Sequence, residues 1–430
     1  MKALLVTRGS QGDIYPYLRL AVELKNRGHQ VTLSLPRLFE KEGRQTGVPY
    51  VLQASDDIAG MIEDVPDTKN LLKWTKRVID SQFRELVPLL KKHDILVSSN
   101  TEFAAPSIAE FCGKPLIRTA YGPLLPTKKF PPPIFPWTEP NPIIRPSLLW
   151  AMLNKGLNLM VKKTINRNRK EHCMPPIKCQ AEHAPASSDN FLLYSKYLGN
   201  VDNDWKYKWG IGGYIFNDLL PYDKENLEEI TRFIKKDKRP TVYFSLGSCN
   251  IKQQDRFTNL LFDICTRHNY KLLLNCGWWN PGAHLQNNDN LFRFDKVIPH
   301  NLIFPNCDAI IHHGGAGTTH SAARSGKPQM VTPIILDQHY WGHRVKELGL
   351  GPGSIKIKGV SGKLFEPQPS EHASEGSPLE EKVLDLVTNP LYKEKAHSMG
   401  KLIQSEQGLE NICRRIESYG EVQVEEAAGF

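Results

Sequence analysis

Short apolar runs alternate with helix-spaced apolar residues along most of this 430-residue chain. Ala3–Thr7 is apolar and partly β-branched, as a buried strand requires. Gly9-Ser10-Gln11-Gly12-Asp13 reads as a tight loop. Pro16 suits a first helical turn, and Leu18, Ala21, Val22 and Leu24 recur at helical spacing up to Gly28. Val31–Leu35 is a second strand. Strand, helix and strand in this order predict a βαβ unit and a parallel sheet. The alternation continues with a strand at Asp94–Ser98, a helix at Ala104–Phe111 and a strand at Pro115–Arg118. Pro123 to Pro146 holds nine prolines and predicts a long surface loop. Lys69–Lys92 and Trp150–Lys170 carry apolar residues at helical intervals.

A second α/β series begins at Thr241, where Thr241–Ser245 runs into a Gly247-Ser248 turn. Lys271–Asn275, Ala309–His312 and Gln329–Pro333 are further strands. Leu220–Lys224 is the expected linker, and Ser370–Pro378 the expected flexible insertion. The pattern predicts an α/β protein with domains at 1–220 and 221–400. A helix in 401–430 is expected to pack back on the first domain. Two such halves face each other, and ligands then bind in the crevice at the carboxyl ends of the strands.

Composition adds limits. A hydrophobic content of 40% and a charged content of 23% are those of a globular protein, and the length suggests roughly two or three domains. No apolar run reaches the ~18 residues of a membrane span. The N-terminus reads as a strand and not a signal peptide, so a cytoplasmic protein is expected. The eight cysteines are scattered. His172, Cys173, Cys179 and His183 lack a CxxC pair and make a poor zinc set. The net charge of +9 is partly local: Pro140 to Lys170 has seven basic residues and no acid. These basic helices either rest on an anionic membrane surface or present a solvated face. They lack the motifs of a nucleic-acid binder.

The chemistry-bearing stretch is His312-His313-Gly314-Gly315-Ala316-Gly317-Thr318-Thr319. A strand ending in small residues before a helix start builds an anion cradle from backbone N–H groups and the helix dipole. A dinucleotide dehydrogenase is excluded on two counts. The first loop is Gly9-x-x-Gly12 and not GxGxxG, and the second strand ends at Leu35-Pro36 with no acid for a ribose.

These motifs resemble the UDP-sugar-dependent glycosyltransferases that include sterol glucosyltransferases and glycopeptide-antibiotic glycosyltransferases. Gly9-Ser10-Gln11-Gly12-Asp13 resembles the family's N-terminal Gly-Ser-Arg-Gly-Asp loop, and Pro126–Pro131 its acceptor-side loop. Val297-Ile298-Pro299-His300, the octad, and Asp337-Gln338 through Trp341-Gly342-His343-Arg344-Val345 resemble its donor signature. The resemblance implies a GT-B fold of two Rossmann-like domains and a transfer with inversion that needs no metal or cofactor. The co-substrate would be a UDP- or TDP-hexose, glucose first. The acceptor would be a largely apolar sterol, lipid, polyketide or phenolic.

On this resemblance His313, Gly315, Ala316, Gly317 and Thr318 bind the diphosphate, with Ser10, Gly12, Gly247 and Ser248 beside it. Asp337 and Gln338 suit vicinal sugar hydroxyls, although Asp337 also suits a helix N-cap. Val297 lies against the base. Asp13 is the candidate general base, and can cap its helix as well. His320 is a lesser catalytic candidate. Phe130, Phe135 and Trp137 are expected to wall the acceptor site. The chain departs from the wider family at three positions: Ser321 replaces a ribose-binding Glu, Val297 a base-stacking Trp, and Gln11 an Arg. Asp202-Asn203-Asp204 is read as a loop and not a metal site. A sugar-nucleotide 2-epimerase or a non-catalytic sugar-nucleotide-binding partner protein are the alternatives.

Overall fold

The computed structural model describes residues 1–54, 68–135, 144–218, 221–249, 254–355 and 376–428. Trp137 and most of the Ser370–Pro378 segment lie outside them. Among the described residues twelve strands form two sheets. The first holds β1 (Lys2–Val6), β2 (Gln30–Leu35), β3 (Tyr50–Leu52), β4 (Ile95–Ser99), β5 (Leu116–Ala120), β6 (Asp189–Leu192) and β7 (Trp209–Ile211). Their order is β3-β2-β1-β4-β5-β6-β7. The second holds β8 (Thr241–Ser245), β9 (Lys271–Asn275), β10 (Leu291–Phe294), β11 (Ala309–His312) and β12 (Gln329–Val331), ordered β10-β9-β8-β11-β12. Every pairing is parallel, for example Leu5↔Leu33 and Leu5↔Val97 around β1.

Parallel strands covered on both faces must be apolar throughout. Accordingly Ala3, Leu4 and Leu5 are all fully buried. Leu5 and Leu33 pack with Ile14, Tyr17 and Leu24 of the helix Gln11–Asn26, on one face. Leu4 and Leu96 pack on the other with Phe83, Val161 and Ile165 of the helices Thr68–Leu90 and Pro146–Glu171. The two basic helices of the sequence are therefore ordinary packing partners on their apolar sides.

A separate apolar cluster joins the halves. Leu192, Tyr194, Leu198 and Trp205 meet Val331, Tyr340, Trp341 and Val345 there. Polar ties cross with it: Arg344 Nε donates to Leu198 O (2.6 Å), and Arg324 to Asp218 (2.7 Å). The last helix, Gly408–Ala428, buries Ile412, Cys413 and Ile416 against the first sheet's core. Arg415 fixes it with two bonds to Asp189, at 2.7 and 2.9 Å. The helix before it, Pro390–Gln404, stays on the second half beside the helix Ala316–Arg324.

Strand order reverses at two points, between β1 and β4 and between β8 and β11. Crevices open at such points, outside the carboxyl ends of the strands. The loops singled out in the sequence leave β1, β8 and β11, the strands that flank those crevices.

Candidate active site

A cleft of about 1950 Å³ lies between the sheets, lined from both halves. Ser10, Gly12, Asp13, Gly247, Ser248, Val297, His313, Gly315, Ala316, Gly317, Thr318, Asp337, Gln338 and Phe135 all border it. Phe130 does not. Its ring turns edge-on to Trp205 (6.2 Å), and its carbonyl accepts from Trp150 Nε1 (3.0 Å), so it braces the wall from behind.

On the first half, β1 ends and the chain turns through Gly9 (φ +137°). A side chain there would place its Cβ 2.2 Å from Asp13 Oδ2, so only glycine lets the carboxylate fold back. Asp13 Oδ2 accepts from Ser10 N (2.9 Å), while Tyr121 Oη and Thr7 Oγ1 both donate to the Asp13 carbonyl (3.2 Å each). Burial raises the Asp13 pKa to about 6, opposed by the Ser10 hydrogen bonds and assisted by the charge of Asp337. A carboxylate so tuned is ionised at neutral pH yet basic enough to accept a proton.

On the second half, His313 stands at the end of β11 with its ring between two glycines. A Cβ on Gly247 would lie 2.6 Å from its Cε1, and one on Gly315 2.5 Å from its Nε2. Among the described residues the ring has no hydrogen-bond partner, and Nδ1 is a buried polar atom left unpaired. Burial, then His312 and His300, push its pKa down to about 3, so it is a neutral donor. His312, one residue earlier, is fully occupied: Nδ1 accepts from Gly314 N (3.0 Å) and Nε2 meets Gln329 Oε1 (2.9 Å).

The helix Ala316–Arg324 starts directly after. Its first internal bond is Thr319 N to Gly315 O (3.0 Å), which leaves the N–H groups of Ala316, Gly317 and Thr318 open. No side chain caps it and no acid stands in its first turn. Gly317 is needed because a Cβ would sit 2.6 Å from Tyr214 Oη, which reaches over from the first half.

Asp337 precedes the helix Gln338–Glu347 but makes no side-chain cap. Its Oδ2 instead accepts from Trp341 Nε1 (3.0 Å), and burial raises its pKa to about 6. Leu336, just before it, is a non-glycine residue at φ +50°, a strained conformation of the kind found at ligand sites. Gln338 departs from expectation. Its Oε1 accepts from Ile334 N (2.8 Å) and Ile335 N (3.1 Å), and its Nε2 points at Cys249 Sγ (3.3 Å). Its amide therefore shapes the loop that carries Asp337.

His320 is corrected as well. It is buried outside the cleft, its Nε2 accepting from Ser195 N (3.0 Å) and its Nδ1 donating to Ala316 O (2.6 Å). Stacked on Tyr214, it ties the halves together. Asp202 and Asp204 both hold Lys129 (2.6 and 2.7 Å), and Asp202 also bonds Thr127, anchoring the proline-rich loop. Of the four His/Cys residues considered for zinc, three have separate partners: Asn168 O for His172 (2.8 Å), Glu110 for His183 (2.8 Å) and Asn158 for Cys179 (3.0 Å).

Sequence reasoning missed Tyr214, Trp278 and Arg118, which also line the cleft. Trp278, after β9, crosses to Phe39 of the first half, with ring centroids 6.5 Å apart. No motif announces these residues. Arg118, the middle of a five-residue strand, did break an apolar run, and that was a usable signal.

Two facing Rossmann-like halves with loops of this kind define a GT-B glycosyltransferase fold. Solved structures agree. The glycosyltransferase of kitacinnamycin superposes with a TM-score of 0.70 at 18% identity, over 97% of this chain and 98% of that one. The calicheamicin glycosyltransferase CalG4 gives 0.69 at 18%, over 98% of both chains. Residues 3–113 match the glycosyltransferase family 28 N-terminal domain, and residues 282–405 the erythromycin biosynthesis protein CIII-like C-terminal domain. A sterol 3-beta-glucosyltransferase of Arabidopsis thaliana is 24% identical over 83% of this chain, and one of Komagataella phaffii 25% over 96%. This chain spans 58% and 34% of their lengths. The vancomycin aglycone glucosyltransferase of Amycolatopsis orientalis is 29% identical, over 82% of this chain and 85% of its own. The chain is thus similar to glycosyltransferases of the sterol glucosyltransferase and glycopeptide-antibiotic glycosyltransferase type.

Proposed function

We propose that this protein transfers a hexose, with inversion, from a UDP- or TDP-sugar to a hydroxyl of a largely apolar acceptor. Glucose from UDP-glucose is the first donor to test. The observation that carries this reading is one cleft with a tuned carboxylate, Asp13, on one side and an unpaired neutral histidine beside an open helix N-terminus on the other. Asp13 takes the proton of the acceptor hydroxyl. The hydroxyl oxygen bonds to the anomeric carbon as the bond from that carbon to the phosphate oxygen breaks. The electron pair leaves on the diphosphate, where His313 and the N–H groups of residues 316–318 hold the charge. Fixed dipoles of this kind stabilise a departing anion without a metal or cofactor. Asp337 holds sugar hydroxyls, Ser248 a phosphate, and Val297 the base.

The cleft continues into an apolar lobe bordered by Phe103, Phe135, Trp150, Leu153 and Leu157, which suits an acceptor. A 2-epimerase needs no such lobe. On this reading residues 1–220 bind acceptor, 221–400 bind donor, and the helix Gly408–Ala428 packs back on the first half. Beside the lobe Leu148, Met152 and Leu159 are exposed on the helix that also carries Lys155 and Lys163, and Leu72 is exposed beside Lys73 and Lys76. Apolar and basic groups together suit peripheral contact with an anionic membrane. Among the described residues no helix is long and apolar enough to cross one.

A screen of UDP-, TDP- and GDP-sugars, by thermal shift and donor hydrolysis, tests the donor. Absence of any shift with UDP or TDP at millimolar concentration would overturn the reading. Co-sedimentation with vesicles containing anionic lipid, against neutral ones, tests the membrane contact. Equal binding to both would remove it.

A further inference from the structure

The charges along the cleft do not balance locally. Four basic side chains border it: Arg8, Arg118, Lys296 and Arg324. Arg8 faces Glu102 (3.5 Å), which Gln82 also holds. Arg324 pairs with Asp218 (2.7 Å), and Lys296 lies 4.0 Å from Asp295. Arg118 has neither an ion pair nor a side-chain hydrogen bond among the described residues. Yet it sits inside the first sheet, on β5, with Ser98 and Asn190 as its strand neighbours.

Its direction follows from the strand. Ile117 packs in the core that contains Tyr17, and Leu116 in the core that contains Phe83 and Val161. Alternation places Arg118 on the Leu116 side. That is the side of the apolar lobe, where Ala181 and Ala184 join Trp150 and Leu157 along the cleft. Burial pulls its pKa down to about 10, although the side chain stays partly open to the cleft. An unpaired guanidinium at a cleft wall, partly withdrawn from water, is free to receive an anion. The donor diphosphate already has its cradle at the end of β11, on the opposite half.

We propose that Arg118 receives a carboxylate carried by the acceptor, so that the acceptor class is a hydroxylated apolar molecule bearing an acid. The guanidinium fork matches a carboxylate with two parallel hydrogen bonds, and the lobe takes the apolar body. The proposal rests on the transferase reading for calling the ligand an acceptor.

Calorimetric titration of the full chain, with UDP present, compares 6-hydroxy-2-naphthoic acid and 12-hydroxystearic acid with their methyl esters. In the native protein at least one acid is expected to bind about tenfold or more tightly than its ester. Arg118→Gln is expected to erase that preference, Arg118→Lys to keep part of it, and both to leave UDP affinity unchanged. Equal binding of acid and ester for both probes overturns the proposal. So does a preference that survives Arg118→Gln, or a loss of UDP affinity in that variant. If Arg118→Gln does not fold, the native comparison and the lysine variant decide. An acid preference without any UDP binding keeps the anion site and removes the transferase reading instead.

Discussion

The ends of β1 and β11 are built alike and do opposite things. Each strand stops at a sheet's switch point, turns through glycine and starts a helix. At β1 the chain supplies its own anion: Asp13, the third residue of the helix, reaches back to Ser10. At β11 the same position is Thr318, and the helix is uncapped. One helix start is closed by a carboxylate and the other waits for one charge or more from outside. What a βα turn binds is thus decided by whether its own first turn satisfies the dipole, and less by the glycines that both turns share.

Removing the closed side's carboxylate is the largest break. Asp13→Asn should lower turnover by roughly 10²–10⁴-fold with UDP affinity unchanged, read by steady-state rates and calorimetry. A variant that keeps turnover would show that Asp13 is only a cap. On the open side, His313→Ala should lower turnover by about 10²–10³-fold, as loss of one donor to a developing charge does. Unchanged rates would assign the histidine to structure.

The comparison sharpens if one side is made to copy the other. Thr318→Asp puts an acid where Asp13 stands in its own helix. We expect a fall of about 10–100-fold in UDP affinity while the melting temperature holds or rises, since the acid caps the helix and repels the phosphate. Equal affinity would mean that the diphosphate does not reach this helix.

A smaller effect lies in the acid pair. The rate should rise with pH to a plateau above about 6, as Asp13 loses its proton. Asp337→Asn removes one neighbouring charge, so the midpoint of that limb should move to lower pH. Both carboxyls have folded pKa values near 6, above the ordinary 3.8. The folded state then binds more protons between about pH 4 and 6, so their contribution favours folding at low pH and fades as pH rises through that window. Asp337→Asn should therefore raise the melting temperature at pH 7.5, and a drop there would refute the assignment. Smallest for catalysis is His320→Phe, which leaves Ser195 N–H unpaired. A stability loss of about 1–3 kcal/mol by denaturant titration is expected, with little change in UDP affinity.

The sequence pattern located what local chemistry determines. Lys271–Asn275 and Ala309–His312 are strands with those limits, because a continuous apolar run between turn residues has few other uses. β3, β6, β7 and β10 are three or four residues long, and their pairing comes from neighbours distant in the chain. The donor loops were legible because each is contiguous. Tyr214 and Trp278 were not, since the cleft collects them with Arg118 from 64 to 160 positions apart, and Arg118 showed only as a break in an apolar run. Gln338 and Phe130 show the converse. Both have the chemistry for a ligand contact, and both are occupied by nearby backbone or rings that no spacing rule displays.

The return of the last helix to the first sheet has a mechanical consequence. The chain crosses between the halves twice, once before Asp223 and once between Gln404 and Gly408. Two tethers, with the apolar cluster between them, limit how far the halves can slide past one another. Trp278 against Phe39 adds a contact on the far side of the cleft, so the two halves are held at more than the tethered side.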